Sequence, residues 1–149
     1  MIQRYEKPLG PEIKHDDGSD VLNWLREFAL AVREENYQNG RKLFAPEVVG
    51  FGTSAAQAMG LEQLEQEQWK KVWGFTRNFH FEMEEIHFDL SGELAWVAAP
   101  FCSQGRSDSA GWFDRRGRAT YILSRRGGKW VCVHSHHSLN PLSPDVKRP

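Results

Sequence analysis

One change of rhythm limits what this chain can fold into. Up to Gly74 the apolar residues recur at helical spacing, and after it they alternate in strand fashion without returning. In the first half, Leu22, Leu25, Ala29 and Val32 mark one helical stripe, widened by Val21, Trp24 and Phe28. Ser19 or Asp20 is the expected N-cap, and Asn39-Gly40 the expected stop. A turn over 41–44, ended by Pro46, leads to a short strand over 48–51. Its glycines, Gly50 and Gly52, leave room for another group to approach the backbone. A second helix is expected over 61–73. Leu61, Leu64, Trp69, Val72 and Trp73 lie inward, Glu62, Glu65, Glu67, Lys70 and Lys71 outward, and Gly74 closes it.

In the second half, Phe79, Phe81 and Met83 alternate, and Ile86, Phe88 and Leu90 alternate in the opposite phase. That slip predicts a β-bulge in a long strand. Ser91-Gly92 predicts a hairpin returning over 94–102, where Pro100 hints at an edge or a bulge. Residues 103–114 read as a polar loop with Trp112 and Phe113, a lid or partner contact. Strands over 118–125 and from Lys129 onward follow, joined at Gly127-Gly128. Helices first and a meander of strands second give an α+β class, with N-terminal helices packed on a curved antiparallel sheet.

The length of 149 residues suits one domain, over 19–141, with an irregular N-terminal arm over 1–18 and a C-terminal tail over 142–149. Nineteen basic residues against twenty acidic ones give a formal charge of −1, so no nucleic-acid partner is expected. No apolar run approaches the ~20 residues of a membrane span, and Met1 to Ser19 lacks the apolar core of a signal peptide. The expectation is a cytoplasmic protein with no membrane association, in which Cys102 and Cys132 stay free thiols.

The only dense cluster of titratable groups lies on the final strand, Trp130-Val131-Cys132-Val133-His134-Ser135-His136-His137-Ser138. Unbroken alternation puts Trp130, Cys132, His134, His136 and Ser138 on one face. That row passes from apolar to polar, as in a strand running from core into cavity. His134 and His136 would stand roughly 7 Å apart, from two rises of ~3.4 Å. Two charges at that spacing repel by about 2.4 kcal/mol at an effective dielectric of ~20, so at least one imidazole is expected neutral near pH 7. Arg118 and Thr120 share a face of the neighbouring strand and could look into the same cavity.

Four pieces taken in order carry a family resemblance: Phe51-Gly52-Thr53, Gly92-Glu93-Leu94-Ala95-Trp96-Val97, Gly117-Arg118-Ala119-Thr120 and Trp130…His134-x-His136-x-Ser138. Over residues 20–141 the chain resembles the SnoaL-like branch of the nuclear-transport-factor-two-like (ketosteroid isomerase-like) superfamily. The resemblance implies a cone-shaped α+β fold and a pocket between sheet and helices. It also implies a homodimer through the sheet's outer face, where Val131, Val133, Tyr121 and Leu123 would fall. It places Phe51, Trp69 and Trp73 at the cavity mouth. Ketosteroid isomerase-like enzymes carry a carboxylate base on the short strand. Here that stretch is Glu47-Val48-Val49-Gly50-Phe51-Gly52-Thr53, with an acid only at its start, so that mechanism does not transfer.

Two functions remain. In the first, a pocket binds, and could isomerise, cyclise or hydrolyse, a small apolar molecule bearing oxygen. His134 or His136 would be the catalytic base or acceptor, Arg118 the oxygen-binding group, and Thr120, Ser138, Phe51, Trp69 and Trp73 further ligand contacts. In the second, the chain is a non-catalytic dimerisation module with a vestigial cavity. The histidines could equally satisfy one another in a polar core patch, or form a metal pair completed by His80, His87 or Glu82. Spacing fixes no third ligand, so no metal and no cofactor is assigned.

Overall fold

The computed structural model describes residues 18–142; the N-terminal arm and nearly all of the tail lie outside them. Helix α1 (Ser19–Arg33) is capped by Gly18 at φ 100°, not by a side chain. A Cβ at Gly18 would strike the Phe88 ring, so glycine is required there by both backbone and packing. The chain does not stay helical to Asn39-Gly40. It breaks after Arg33 and restarts as α2 (Tyr37–Lys42), whose cap is the Asn36 side chain accepting from the Asn39 amide. Gly40 lies inside α2 because Trp69 and Trp73 press against it, not because it ends a helix.

Strand β1 (Phe44–Phe51) carries Pro46 within it, and the two-residue β2 (Ala58–Met59) pairs with its end. The next helical segment is α3 (Leu61–Leu64), a π-helical turn (Glu65–Trp69), α4 (Lys70–Val72) and a 3₁₀ turn (Trp73–Phe75). The wider π turn brings Glu65 and Gln68 inward beside Trp69, so Glu65 is buried rather than on the wet face. Arg41 at 2.7 Å and Lys70 at 3.3 Å neutralise it there.

Strands β3 (Thr76–Phe81), β4 (His87–Ser91), β5 (Leu94–Ser107), β6 (Gly111–Arg126) and β7 (Lys129–Leu139) complete the fold. The sheet runs β2-β1-β7-β6-β5-β3, with β4 on β5 as well. It is mixed rather than wholly antiparallel, since β1 and β7 run parallel. The phase slip after Met83 is a 3₁₀ turn (Met83–Glu85), not a bulge, and it hands the β5 edge from β3 to β4. Pro100 sits at that handover. Its carbonyl accepts from the Glu82 amide, so the side lacking an N–H faces the gap between β3 and β4. Residues 103–114 are not a loop: β5 and β6 stay paired up to Ser107 and Gly111, with Trp112 and Phe113 on the strand.

The α1 stripe lies on the inner face of the sheet. Phe28 is at its centre, with ring contacts to Trp24, Phe44, Trp73, Phe79 and Tyr121. Burying a ring of that size stabilises by about 1.5–3 kcal/mol. Arg33 ties the end of α1 to β3 through the Phe79 carbonyl, at 2.8 Å. Among the described residues the helices lie on one side of the sheet, and none of them covers the opposite face.

Candidate functional site

The alternation of β7 breaks once. Leu123 pairs with Cys132 and Ile122 with His134, so Val133 has no partner on β6. One extra residue inverts the phase. Trp130 and Cys132 face the core before the bulge, and Ser135 and His137 face it afterwards.

His134, His136 and Ser138 are therefore on the outer face, which corrects the inward row expected from alternation. Thr120 pairs with His136 and Arg118 with Ser138, so these four do share a face, but it is the outward one. Arg118 Nε donates to Ser138 Oγ at 3.0 Å. The His134 Nδ1 bonds the Val49 carbonyl at 2.7 Å, and Phe51 packs against His134 and His136 with centroids at 5.0 and 5.5 Å. Of the expected ligand contacts, Trp69 and Trp73 reach the interior cavity and Phe51 does not. Tyr121 and Leu123 are fully buried and cannot belong to an outer interface.

The group that does enter the interior is His137. It borders a cavity between α1, the π turn and the sheet, with Trp69, Trp73, Phe79 and Phe101 as walls and Thr53, Gln68 and Arg115 at one end. Its free volume is about 30 Å³, room for a water or two. His137 bonds Tyr121 through Nε2, with Oη at 2.5 Å. Burial pushes the Tyr121 hydroxyl well above its ordinary value. Burial, then the charge of Arg115, then His136, push His137 down to about 3. Both groups are neutral at pH 7. Tyr121 has no second acceptor among the described residues, so its hydroxyl donates, and the His137 proton resides on Nδ1. The surface that His137 retains borders the cavity, and Nδ1–H is its remaining polar edge.

Three side chains close the far end. Gln68 Nε2 donates to Thr53 Oγ1 at 3.0 Å, and Arg115 Nη2 donates to the same oxygen at 3.0 Å. Gln68 Oε1 accepts from the Ser54 and Ala55 amides at 2.7 and 2.9 Å. Gly52 makes this possible, because a Cβ there would overlap the Gln68 carboxamide. The room that Gly52 was expected to leave is thus used by Gln68. Arg115 is half-buried, its charge is destabilised by desolvation, and it pairs with no carboxylate among the described residues. Aromatic walls ending in a cation, an amide and an N–H match the chemistry of an apolar body with an anionic or carbonyl oxygen, but at about 30 Å³ the cavity as it stands is closed to one.

Sequence reasoning missed His137, Arg115 and Gln68. The available signal was on β6, where Gly117, Ala119, Tyr121 and Leu123 form the apolar row and so mark the core face. Their partners across the ladder are Leu139, His137, Ser135 and Cys132.

The model of the SnoaL-like domain matches residues 21–143. The chain belongs to the SnoaL-like domain family. No curated protein matches it. Among solved structures it is similar to a ketosteroid isomerase-like protein from Erwinia carotovora atroseptica, at 14% identity and TM-score 0.72, over 87% of this chain and all (100%) of that one. A nuclear transport factor 2-like superfamily protein from Salmonella enterica serovar Typhimurium gives 14% identity and TM-score 0.71 over 88% and 95%. A protein of the same type from Pseudomonas putida gives 21% and 0.70 over 85% and 88%. At these identities the likeness shows the shared fold. This SnoaL-like chain accordingly has the α+β cone of the nuclear-transport-factor-two-like superfamily, and among its described residues no helix is long and apolar enough to cross a membrane.

Proposed function

We propose that the protein binds a small, largely apolar molecule bearing a carboxylate or carbonyl oxygen. The aromatic cavity takes the apolar body, and Arg115, Gln68 and His137 Nδ1–H take the oxygen. The observation that carries this reading is Arg115, a partly desolvated cation at the end of an aromatic cavity, with no carboxylate among the described residues to neutralise it. Among the described cavity-lining residues none is an aspartate or glutamate. His137, pushed down to about 3, is a poor base at neutral pH. Binding is therefore favoured over an isomerase-type proton abstraction. The small free volume means that Gln68 and Arg115 swing aside from Thr53 as the ligand enters.

Tryptophan fluorescence tests this, because Trp69 and Trp73 stack in the wall at 4.7 Å. Titration with 2-naphthoate should perturb the emission saturably, naphthalene-2-carboxamide should bind less tightly, and Arg115→Met should erase that preference. Equal binding of acid and amide, or an unchanged preference in the variant, would refute the role of Arg115.

A homodimer through the outer face of the sheet is the second part of the proposal. Leu94 and Trp96, 51% and 45% exposed, adjoin Ile122 and, across the ladder, Val131 on that face. Light scattering should give twice the mass of 17.2 kDa, and Trp96→Glu should return a folded monomer.

A further inference from the structure

On the outer face, away from the cavity, β3 and β5 bring three ligand-type side chains together. His80 and Cys102 are a direct cross-strand pair, and Glu82 follows where β3 ends. One ligand atom from each, an imidazole nitrogen, a carboxylate oxygen and Sγ, lies within 4.8 Å of the others, and His80 Nε2 is 3.9 Å from Glu82 Oε1. We propose that His80, Glu82 and Cys102 bind a divalent transition-metal ion of the zinc type, with a fourth position open to solvent.

The donor set fits that ion class. Thiolate and imidazole select zinc-like ions over magnesium or calcium, and three protein ligands plus water is the arrangement of an open zinc site. The imidazole is already oriented for it. His80 Nδ1 bonds the Asn78 carbonyl at 2.8 Å. A carbonyl can only accept, so Nδ1 carries a proton, and in the neutral ring that metal binding requires the lone pair is on Nε2. A backbone carbonyl holding the far nitrogen is the usual outer support of a metal-bound histidine. Nε2 lies 3.9 Å from Glu82 Oε1, too long for a hydrogen bond. Two ligands sharing a tetrahedral zinc stand about 3.3–3.6 Å apart, from metal–ligand lengths of ~2.0–2.3 Å.

The backbone that aims the ring is itself specialised. Asn78 has φ 59°, and the β3–β5 register shifts between Arg77 and His80. A bulge of this kind re-aims the side chains beyond it. Asn78 is held in place by its amide, which donates to Gln104 Oε1 at 3.1 Å. On the other strand, Cys102 Sγ donates to Glu82 Oε1 at 2.6 Å. A metal ion would take the place of that thiol proton, which leaves to solvent, and would move sulfur and oxygen apart by about an ångström to ligand spacing. In the metal-free chain burial and then Glu82 push the Cys102 thiol up to about 11, with Glu85 adding to that and Arg116 opposing it, so the ion has to displace a held proton. The site is reachable, since the side chains of His80 and Glu82 are 54% and 39% exposed.

The experiment is titration of the full chain, stripped with chelator, by Co²⁺ and then by Zn²⁺. The expected result is one Co²⁺ per chain with a thiolate-to-cobalt charge-transfer band, bleached by one equivalent of Zn²⁺. Cys102→Ser should remove the band, and His80→Ala should weaken Zn²⁺ binding by more than the ~10–100-fold that loss of an outer-shell partner costs. Circular dichroism and Tm of both metal-free variants should match the parent, which separates lost ligation from lost fold. No saturable binding below millimolar Co²⁺ overturns the proposal. So does binding that survives Cys102→Ser and disappears in His134→Ala or His136→Ala.

Discussion

His137 should make the protein's stability fall with acid. Its ordinary value is 6.5, which the unfolded chain keeps, and in the fold it is pushed down to about 3. Above pH 6.5 both states are neutral and the group contributes nothing to the pH dependence. Between 6.5 and 3 the unfolded chain binds a proton that the native state refuses, so stability declines as pH falls. The slope is about 1.4 kcal/mol per pH unit. About 2 kcal/mol is therefore lost by pH 5, and a ceiling of about 5 kcal/mol is reached near pH 3. Urea unfolding at pH 7, 6 and 5 measures it, with His137→Gln as the comparison. The variant is expected to be less stable at pH 7, since Tyr121 loses its acceptor geometry at a cost of about 1–3 kcal/mol. Its decline between pH 7 and 5 should nevertheless be shallower than that of the parent by about 2 kcal/mol. Parallel declines would refute the desolvated, neutral His137, as would a ring that titrates near 6.5 by NMR.

Deleting Val133 removes the extra residue of β7 and leaves Cys132 and His134 as direct neighbours opposite Leu123 and Ile122, so Ser135 and His137 keep the core face and His134 and His136 the outer one. The expected outcome is a chain that still folds, with a stability change within the usual ~0.5–3 kcal/mol of single changes, followed by thermal denaturation. Gly52→Ala places a methyl on the Gln68 carboxamide, which should release Gln68 from the Ser54 and Ala55 amides. About 1–3 kcal/mol of stability should be lost for those bared groups, and the backbone amides of Ser54 and Ala55 should exchange faster with deuterium. Glu65→Ala leaves Arg41 and Lys70 without their shared carboxylate. Only the carboxylate is buried, since Arg41 and Lys70 are 39% and 43% exposed, so the cost should be about 1.5–3 kcal/mol for the lost charged hydrogen bonds, whereas Glu62→Ala, beside the same Arg41 but exposed, should cost under about 1 kcal/mol by urea denaturation.

The fold was legible wherever residue pattern alone decides structure. The α1 stripe and the phenylalanine alternation of β3 each need one face buried, and each is read from spacing. So is the pair Gly127-Gly128, at φ 58° and 79°, where the turn requires positive φ twice. What spacing could not supply was long-range pairing. The parallel contact of β1 with β7 joins residues more than eighty positions apart and leaves no local signature. Nor did composition separate residues 103–114 from a loop. Polar strand ends that overhang the core look like loop until their partner strand is known.

The site was hidden for a sharper reason, which is that three insertions each displace a side chain by one position. Val133 lies in Trp130-Val131-Cys132-Val133, where apolar residues occupy both faces, so a change of phase costs no visible polarity. No glycine or proline marks the bulge, and the next five residues are histidine and serine on both rows. Alternation counted through such a stretch returns the wrong histidines with the right spacing. The π turn does the same on a helix, bringing Glu65 and Gln68 to a face that regular spacing gives to solvent. The bulge at Asn78 turns His80 towards Cys102. A periodic pattern reports where apolar area is buried, and these insertions bury almost none, so periodicity is blind to them. They redirect hydrogen-bonding groups, and it is those groups that give the cavity its polar end and the outer face its ligand cluster. Local departures from regular geometry are therefore the places to search for function in a cone of this kind. The strand partner, whose apolar row Ala119-Tyr121-Leu123 does keep its phase, shows which side each departure faces.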